Sequence, residues 1–571
     1  MNTVREMQDV PALQVTYDKV KPSPGRPTAF RLEGELGFRL HRALRRLEHE
    51  LPYSREYILS QVHAAPGQWS NFPRVHGDIA GRWVLALTYA YAGGDAPEHL
   101  RSVVDALLGL QNEDGSFGYV QFEDEPLNMH KAYGNGWTLK ALAQYATTFE
   151  DARAKEAAVK LGAFYEATFD LWRDAGLSEG DTQFYAISVS CYYHALDGLV
   201  TLYRLTRDER FLRLAGRFVP QLIPLDEADH SHMYLTARRG LLAYLRETGQ
   251  EGEIDALAAD LERVYERCIL ESGGVPERFW LAEGEHADDE GCSLFDWLML
   301  CLEMFEVTDV AVWLDRAVLN LENHVFYNQT YNGGFGSCEL GGAYKQQGKE
   351  APWCCSLFAP YGLLEAASLL AQRRGSAVYV NHLVSGAFSF GDLTLGVQKD
   401  DEAKTLTLEG EGVQEVALYV PHWLELSGPG ELRDGRFVVP LGEQVTLTYR
   451  YKMWLSRRGR SPERLESVHP GDEVALFYGP WLLTHRHHDA SVGVTLEQDR
   501  AGYVTNIEED FLLGVGLYGE SVRLTLPTDH PLEPTDTFRG VFERPGELYL
   551  YPLRTKETPN SSSSRLFLRG S

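Results

Sequence analysis

The stretch His194–Phe218, HALDGLVTLYRLTRDERFLRLAGRF, decides how most of this sequence folds. Its first half carries apolar residues at three- and four-residue spacing as far as Leu205. Thr206-Arg207-Asp208 then interrupts, and the pattern resumes with Phe211, Leu214, Ala215 and Phe218. Two amphipathic runs joined by a short polar turn predict an αα-hairpin.

The same texture extends from about residue 33 to 372, and strand-like alternation is scarce there. Twelve helical segments are predicted, near 33–51, 78–93, 97–112, 137–149, 152–170, 189–205, 208–223, 233–248, 252–270, 291–305, 309–325 and 355–374. Six hairpins closed into a ring give an (α/α)6 barrel, whose inner-helix N-termini and adjoining loops line a central cleft. A helical solenoid is the alternative. The barrel is preferred because the loops are long, irregular and rich in His, Trp, Tyr and acidic residues.

After about residue 376 the period changes to two, in runs such as KTLTLEG, EVALYVP, RFVVPL and QVTLTYRYKMWL. These predict antiparallel strands. Fold class is therefore mainly α with C-terminal β: an (α/α)6 barrel followed by one or two β-sandwich domains. The expected division is an N-terminal arm at 1–32, the barrel at 33–375 and a β-sandwich at 376–470. A second sandwich or its continuation occupies 471–557, and a polar tail expected to be disordered occupies 558–571.

Composition excludes several functions. A formal charge of −28 repels phosphate backbones, so nucleic acids and anionic membranes are not expected partners. No run of about 18 apolar residues is present to span a bilayer, and the opening MNTVREMQDV lacks the apolar core of a signal peptide. A cytoplasmic location is expected. The sequence does not fix an oligomeric state, a homodimer being one option.

The seven cysteines, Cys191, Cys268, Cys292, Cys301, Cys338, Cys354 and Cys355, are odd in number and all precede residue 356. A disulfide framework is a poor reading of them. Glu290-Gly-Cys292 and Cys354-Cys355 provide close pairs of soft and carboxylate donors on two segments, the pattern of a tetrahedral zinc site. Adjacent cysteines resist a mutual disulfide, so they are either metal ligands or small buried hydrophobes. Upstream, Glu277 follows a Gly-Gly-Val-Pro turn and precedes Arg278, Phe279 and Trp280. Such surroundings can raise a carboxyl pKa enough for acid catalysis.

The ordered set Glu277-Arg278-Phe279, Glu290-Gly-Cys292, Cys354-Cys355 resembles glycoside hydrolase family 127, the β-L-arabinofuranosidases. Asn128-Met129-His130-Lys131-Ala132-Tyr133 resembles the family's His-Glu-Leu-Tyr segment, and Tyr193-His194-Ala195 its Gly-His-x-Glu helix. His230 or His232, before MYLTARRGLLAYLRETG, resembles its Gly-His-Ala-Val-Arg segment. The likeness runs from about Asp78 to Leu483. It implies a retaining, exo-acting hydrolase releasing a terminal sugar from an oligosaccharide or glycoside, most simply β-L-arabinofuranose or a related furanose.

By the same resemblance Zn2+ is held by Glu290, Cys292, Cys354 and Cys355, with Cys354 as nucleophile and Glu277 as acid and base. His130, His194, one of His230 and His232, Asp315 and Trp280 would contact the sugar. The chain departs from the family pattern at Ser356, where Pro is usual, and at Asp315, where Glu is usual. It also has a shorter segment between Glu277 and Glu290. Cys338 with Glu339 is a competing ligand pair. The competing functions are a histidine-based epimerase or lyase on a similar barrel, and a non-catalytic glycan-binding protein with structural zinc.

Overall fold

The hairpin at 194–218 folds as its spacing predicts. Helix Leu196–Thr206 stops where Arg207 turns left-handed (φ 56°), and Asp208 caps helix Glu209–Phe218 by accepting the Arg210 amide at 2.9 Å. The second helix buries Phe211, Leu214, Ala215 and Phe218, a single stripe at helical spacing.

The structure, a computed structural model, describes residues 13–16, 19, 25–63, 75–118, 127–175, 188–279, 288–330, 332–339, 349–401, 403–457 and 473–485. It also describes strands at 494–498, 503–504, 512–513, 520–526, 538–542, 546–552, 564–565 and 567–569. The chain is mostly helical with strands following. Six helices are wholly or largely buried: Asp78–Ala90, Met129–Phe149, Leu196–Thr206, Ser231–Thr248, Gly291–Thr308 and Cys355–Ala367. Each packs against the next in that order, and the last packs back on the first.

Close approach in this cycle depends on glycine. A Cβ on Gly81 would lie 2.7 Å from the backbone of Trp137 and Thr138, and one on Gly240 would lie 2.8 Å from the Asp197 amide. Amphipathic helices cover the cycle. Glu98–Leu108 buries Leu100, Val103, Val104 and Leu107, and Glu251–Cys268 buries Leu257, Leu261, Val264, Tyr265 and Cys268. The N-terminal helix Gly34–His49 packs on Cys355–Ala367.

Several boundaries differ from those predicted. The segment expected at 189–205 breaks into Ser188–Tyr193 and Leu196–Thr206, and the one at 137–149 begins at Met129, capped by the Asn128 side chain on the Lys131 amide. Helix Val312–Leu319 passes into a π-helical turn, Asn320–Val325. The helix expected to 374 ends at Ala367, because Ala371–Arg374 pairs antiparallel with Ala377–Val380. Arg55–His63 is a helix the periodicity missed.

The strands form a seven-stranded sheet and a five-stranded sheet before the third, larger one. Period-two burial is clear at Leu395 and Val397 against Leu406 and Leu408. One pairing is parallel, Glu415–Tyr419 with Ala377–Val380, where antiparallel strands were expected throughout. The N-terminal arm expected at 1–32 carries two strands of the seven-stranded sheet, Leu13–Thr16 and Ala29–Leu32, the latter pairing with Gly386–Ser389. The expected division at 470 separates strands that pair, Met453–Arg457 with Glu473–Tyr478. Phe567–Arg569 pairs with Glu473–Ala475, so part of the tail expected to be disordered is strand. No helix among the described residues is long and apolar enough to cross a membrane.

Candidate active site

The buried helices share more than their packing. Asp78, His130, His232, Cys292 and Cys355 all lie in the first turn or so of their helices, and one cleft brings Asp78, His130, His232 and Cys355 together. Helix N-termini present unpaired amides and partial positive charge. A chain of net charge −28 thus has, at this end, a place that favours anions.

Glu290, Cys292, Cys354 and Cys355 meet at the cleft floor, one ligand atom from each lying within 4.8 Å of all the others. The Cys355 sulfur is 3.5 Å from that of Cys354 and 3.6 Å from that of Cys292, and 3.9 Å from Glu290 Oε1. These separations are far too long for disulfides. Zinc–sulfur bonds of about 2.3 Å in a tetrahedron give sulfur–sulfur edges of about 3.7 Å. The four side chains therefore fit a metal ion, and the soft donor set favours zinc over hard cations.

A minor element the sequence did not reveal holds one side of this group. Strands Asp288–Glu290, Gly336–Glu339 and Lys349–Glu350 make a three-stranded sheet, and Glu290 ends the first strand just where helix Gly291–Thr308 begins. Glu290 Oε2 accepts from Ser293 Oγ at 2.6 Å. Burial raises the Glu290 carboxyl above its ordinary range.

The thiols are not equivalent. Hydrogen bonds from Cys292 and Cys355, then the Arg82 guanidinium, hold Cys354 well below the ordinary thiol range, against the effect of burial. Cys292 is pushed up by burial and by its bonds to the other two sulfurs. Cys355 is pulled down by Cys292 but pushed further up by Cys354 and burial. The protein alone thus favours one thiolate, on Cys354, flanked by two thiols.

Arg82 was not singled out from the sequence. It donates to Asp78 Oδ1 at 2.7 Å, lies 3.5 Å from the Cys292 sulfur and bonds the Tyr133 hydroxyl. Its guanidinium carbon sits 4.4 Å from the Trp137 ring centroid. The available signal was Asp78 and Arg82 at i, i+4 spacing in the mainly apolar run DIAGRWVLALTYA.

Glu277 lines the same cleft, and its carboxylate, that of Glu290 and a His230 ring nitrogen lie within 4.8 Å of one another. Its backbone carbonyl accepts from the Ser231 amide at 2.9 Å, which ties its loop to the start of helix Ser231–Thr248.

The expected sugar contacts divide. His130, His230 and His232 line the cleft. His232 is engaged on both sides: Nε2 faces Arg82 at 3.0 Å and must accept, so Nδ1 carries the proton given to Asp296. His230 Nδ1 accepts the Met233 amide at 3.3 Å, and burial lowers its pKa to about 3, which keeps the ring neutral. His194 lies behind the cleft against Tyr133 and Trp137, its Nε2 bonded to the Tyr133 carbonyl. Asp315 is elsewhere: it accepts from the Tyr419 hydroxyl at 2.8 Å, between helix Val312–Leu319 and strand Glu415–Tyr419. The expectation of a sugar contact there is corrected, because its face of the helix turns toward the β region. Trp280 lies outside the described residues, as do the side chains of Cys338 and Glu339. Trp353 and an apolar wall of Met129, Cys191 and Met233 line the cleft unforeseen.

Against known proteins, residues 39–356 match the family described as β-L-arabinofuranosidase, GH127 catalytic domain. A solved GH127 β-arabinofuranosidase superposes with a TM-score of 0.67 at 14% identity, covering 97% of this chain and 98% of its own. A GH127 β-L-arabinofuranosidase from Geobacillus stearothermophilus T6 gives a TM-score of 0.66 at 15% identity, covering 95% of this chain and all of its own (100%). No curated protein sequence matches the chain. With the catalytic-domain match spanning more than half its length, the chain belongs to glycoside hydrolase family 127 and is a glycoside hydrolase.

Proposed function

We propose that the protein is a retaining, exo-acting β-L-arabinofuranosidase, or acts on a closely related furanoside, with Cys354 as nucleophile and Glu277 as acid and base. The observation that carries this reading is the joining of the three thiols and Glu290 to a second carboxylate, Glu277, in one cleft. Arg82 and His232 line the cleft and pack on Trp137 and Phe358 behind them, a wall that suits one terminal sugar. The same argument reads the cycle of six helices as an (α/α)6 barrel within 33–375, with β-sandwich units following.

When bound by Glu290, Cys292, Cys354 and Cys355, zinc would supply the positive charge that keeps several buried thiols ionised together. The Cys354 thiolate attacks the anomeric carbon while Glu277 gives a proton to the departing glycosidic oxygen. Glu277, now a carboxylate, takes a proton from water, and the hydroxide displaces the sulfur. Two displacements retain the anomeric configuration. His130 and His230 stand at the cleft wall to orient hydroxyls, His230 as a neutral ring. The histidine-based epimerase reading is set aside because His232 and His194 already spend ring nitrogens on protein partners.

The test is hydrolysis of 4-nitrophenyl furanosides and pyranosides by the protein, Cys354→Ser and Glu277→Gln, with elemental analysis for zinc. Activity on β-L-arabinofuranoside, lost in Cys354→Ser and reduced in Glu277→Gln, with one zinc per chain, is expected. Full activity in Cys354→Ser would sink the thiolate mechanism.

A further inference from the structure

The loop that delivers Glu277 is Ser272-Gly273-Gly274-Val275-Pro276, and it is gripped on two sides by groups that never reach the cleft. On one side is Asp289, fully buried: Oδ1 accepts the Val275 amide at 3.0 Å and Oδ2 bonds His324 Nδ1 at 2.6 Å. His324, equally buried, bonds the Ser272 hydroxyl through Nε2 at 2.7 Å. The Glu290 amide also donates to the Val275 carbonyl at 3.4 Å. The carboxylate of Asp289 thus joins the strand of Glu290 to the loop of Glu277.

On the other side stands the π-helical turn Asn320–Val325, which supplies His324. Asn320 Nδ2 donates to the Gly273 carbonyl at 2.7 Å, and a Cβ on Gly273, already left-handed at φ 88°, would lie 2.5 Å from the Asn320 amide. A Cβ on Gly274 would lie 2.6 Å from the His324 ring. π-turns frequently mark functional positions. Asn323, in the same turn, donates to the Pro480 carbonyl at 2.9 Å and accepts the Leu482 amide at 2.8 Å. The turn is thereby anchored on the C-terminal β region.

We propose that Asp289, His324 and Ser272 form a buried positioning relay that sets the Glu277 carboxyl against Glu290, and that the Asn320–Val325 turn ties this setting to the β region. Ser272, His324 and Asp289 have the connectivity of a hydrolytic triad, but all three are sealed from solvent and none lines the cleft. Their work is placement: acid catalysis needs the donor within hydrogen-bond reach of the leaving oxygen. The proposal rests on the acid–base reading of Glu277.

The measurement is kcat/KM for paired β-L-arabinofuranosides, one with a 4-nitrophenyl and one with a methyl leaving group, on the full-length protein, Ser272→Ala, His324→Gln and Glu277→Gln. A 4-nitrophenolate departs with little help, whereas a methoxide needs its proton. A loss of about 10- to 100-fold on the methyl glycoside is expected in Ser272→Ala and His324→Gln, with at most about threefold on the 4-nitrophenyl glycoside and zinc content unchanged. A purely structural role lowers both substrates alike, and that result overturns the proposal, as does no loss on either. Ser272→Ala, the mildest change, keeps the test open should His324→Gln fold poorly. Glu277→Gln separates the two readings. If it discriminates between leaving groups and the relay variants do not, the relay alone is wrong; if it does not discriminate, both readings fall.

Discussion

Replacing Arg82 with Met keeps the aliphatic stem and most of the volume while deleting the cation. Arg82 and Asp78 are a buried ion pair, at 1% and 6% side-chain exposure and 2.7 Å apart. Breaking such a pair by removing one partner costs about 3–5 kcal/mol, because the other charge is left uncompensated. Burial already raises the Asp78 carboxyl even with Arg82 beside it, and without the guanidinium it rises further. The unfolded chain ionises this carboxyl in the ordinary range near pH 4, so the penalty is absent below that pH. It grows as pH rises toward the folded pKa and then levels off. Arg82→Met should therefore melt below the parent by a margin wider at pH 8 than at pH 5. Asp78→Asn in the same chain removes the stranded carboxylate and should recover at least half of the deficit at pH 8. The assay is thermal unfolding of the metal-loaded proteins at both pH values. A double variant no more stable than Arg82→Met, or a deficit independent of pH, would show that Arg82 acts through packing on Trp137 and Phe358 and not as a counterion.

Removing metal with a chelator should lower melting temperature and abolish hydrolysis together, and zinc should restore both, since structural zinc contributes roughly 10 kcal/mol or more to folded thiolate sites; loss of activity without a melting shift would contradict the four-ligand group. Asp315, raised to about 7 by burial against the bond from Tyr419, costs stability increasingly from about pH 4 to 7 as the unfolded carboxyl ionises first. Asp315→Asn should therefore match the parent at pH 4 and exceed it above pH 7, by less than about 4 kcal/mol because the side chain is only half-buried. Equal melting at pH 8 refutes this. Gly81→Ala should destabilise by about 1–3 kcal/mol through the clash with the Trp137 and Thr138 backbone, read by the same melting assay; a neutral outcome would mean the two helices can part.

Features encoded within a few residues were legible in the sequence, and features made by distant partners were not. The hairpin at 194–218 is written in its own turn, where Arg207 and Asp208 end one helix and start the next. The group that could hold a metal was legible because Glu290 with Cys292 and Cys354 with Cys355 are local pairs, which the fold had only to bring together. Ala371–Arg374 reads as helix because Ala, Gln and Arg are good helix formers, and pairing with Ala377–Val380 overrides that preference. Asp315 was placed by likeness of position, but its direction is set by Tyr419, 104 residues later. Arg82 was silent because its local i, i+4 partner Asp78 reads as an ordinary ion pair on a helix, whereas the contacts that place it at the cleft come from three other helices.

The packing of helix Gly34–His49 on Cys355–Ala367 has a consequence for how the molecule is made. This helix has its seat built from residues synthesised about 300 positions after it, an interval of roughly 15–60 s at ordinary elongation rates. Throughout that wait its apolar stripe of Leu36, Leu40, Ala43, Leu44 and Leu47 lacks the surface it finally covers. Cys355, the last of the four donors that could hold a metal, arrives at the same late moment. Closing the ring and completing the candidate metal group are thus one event in biosynthesis, and a nascent chain halted before residue 355 would present chaperones with an open helical stack and only part of that donor group.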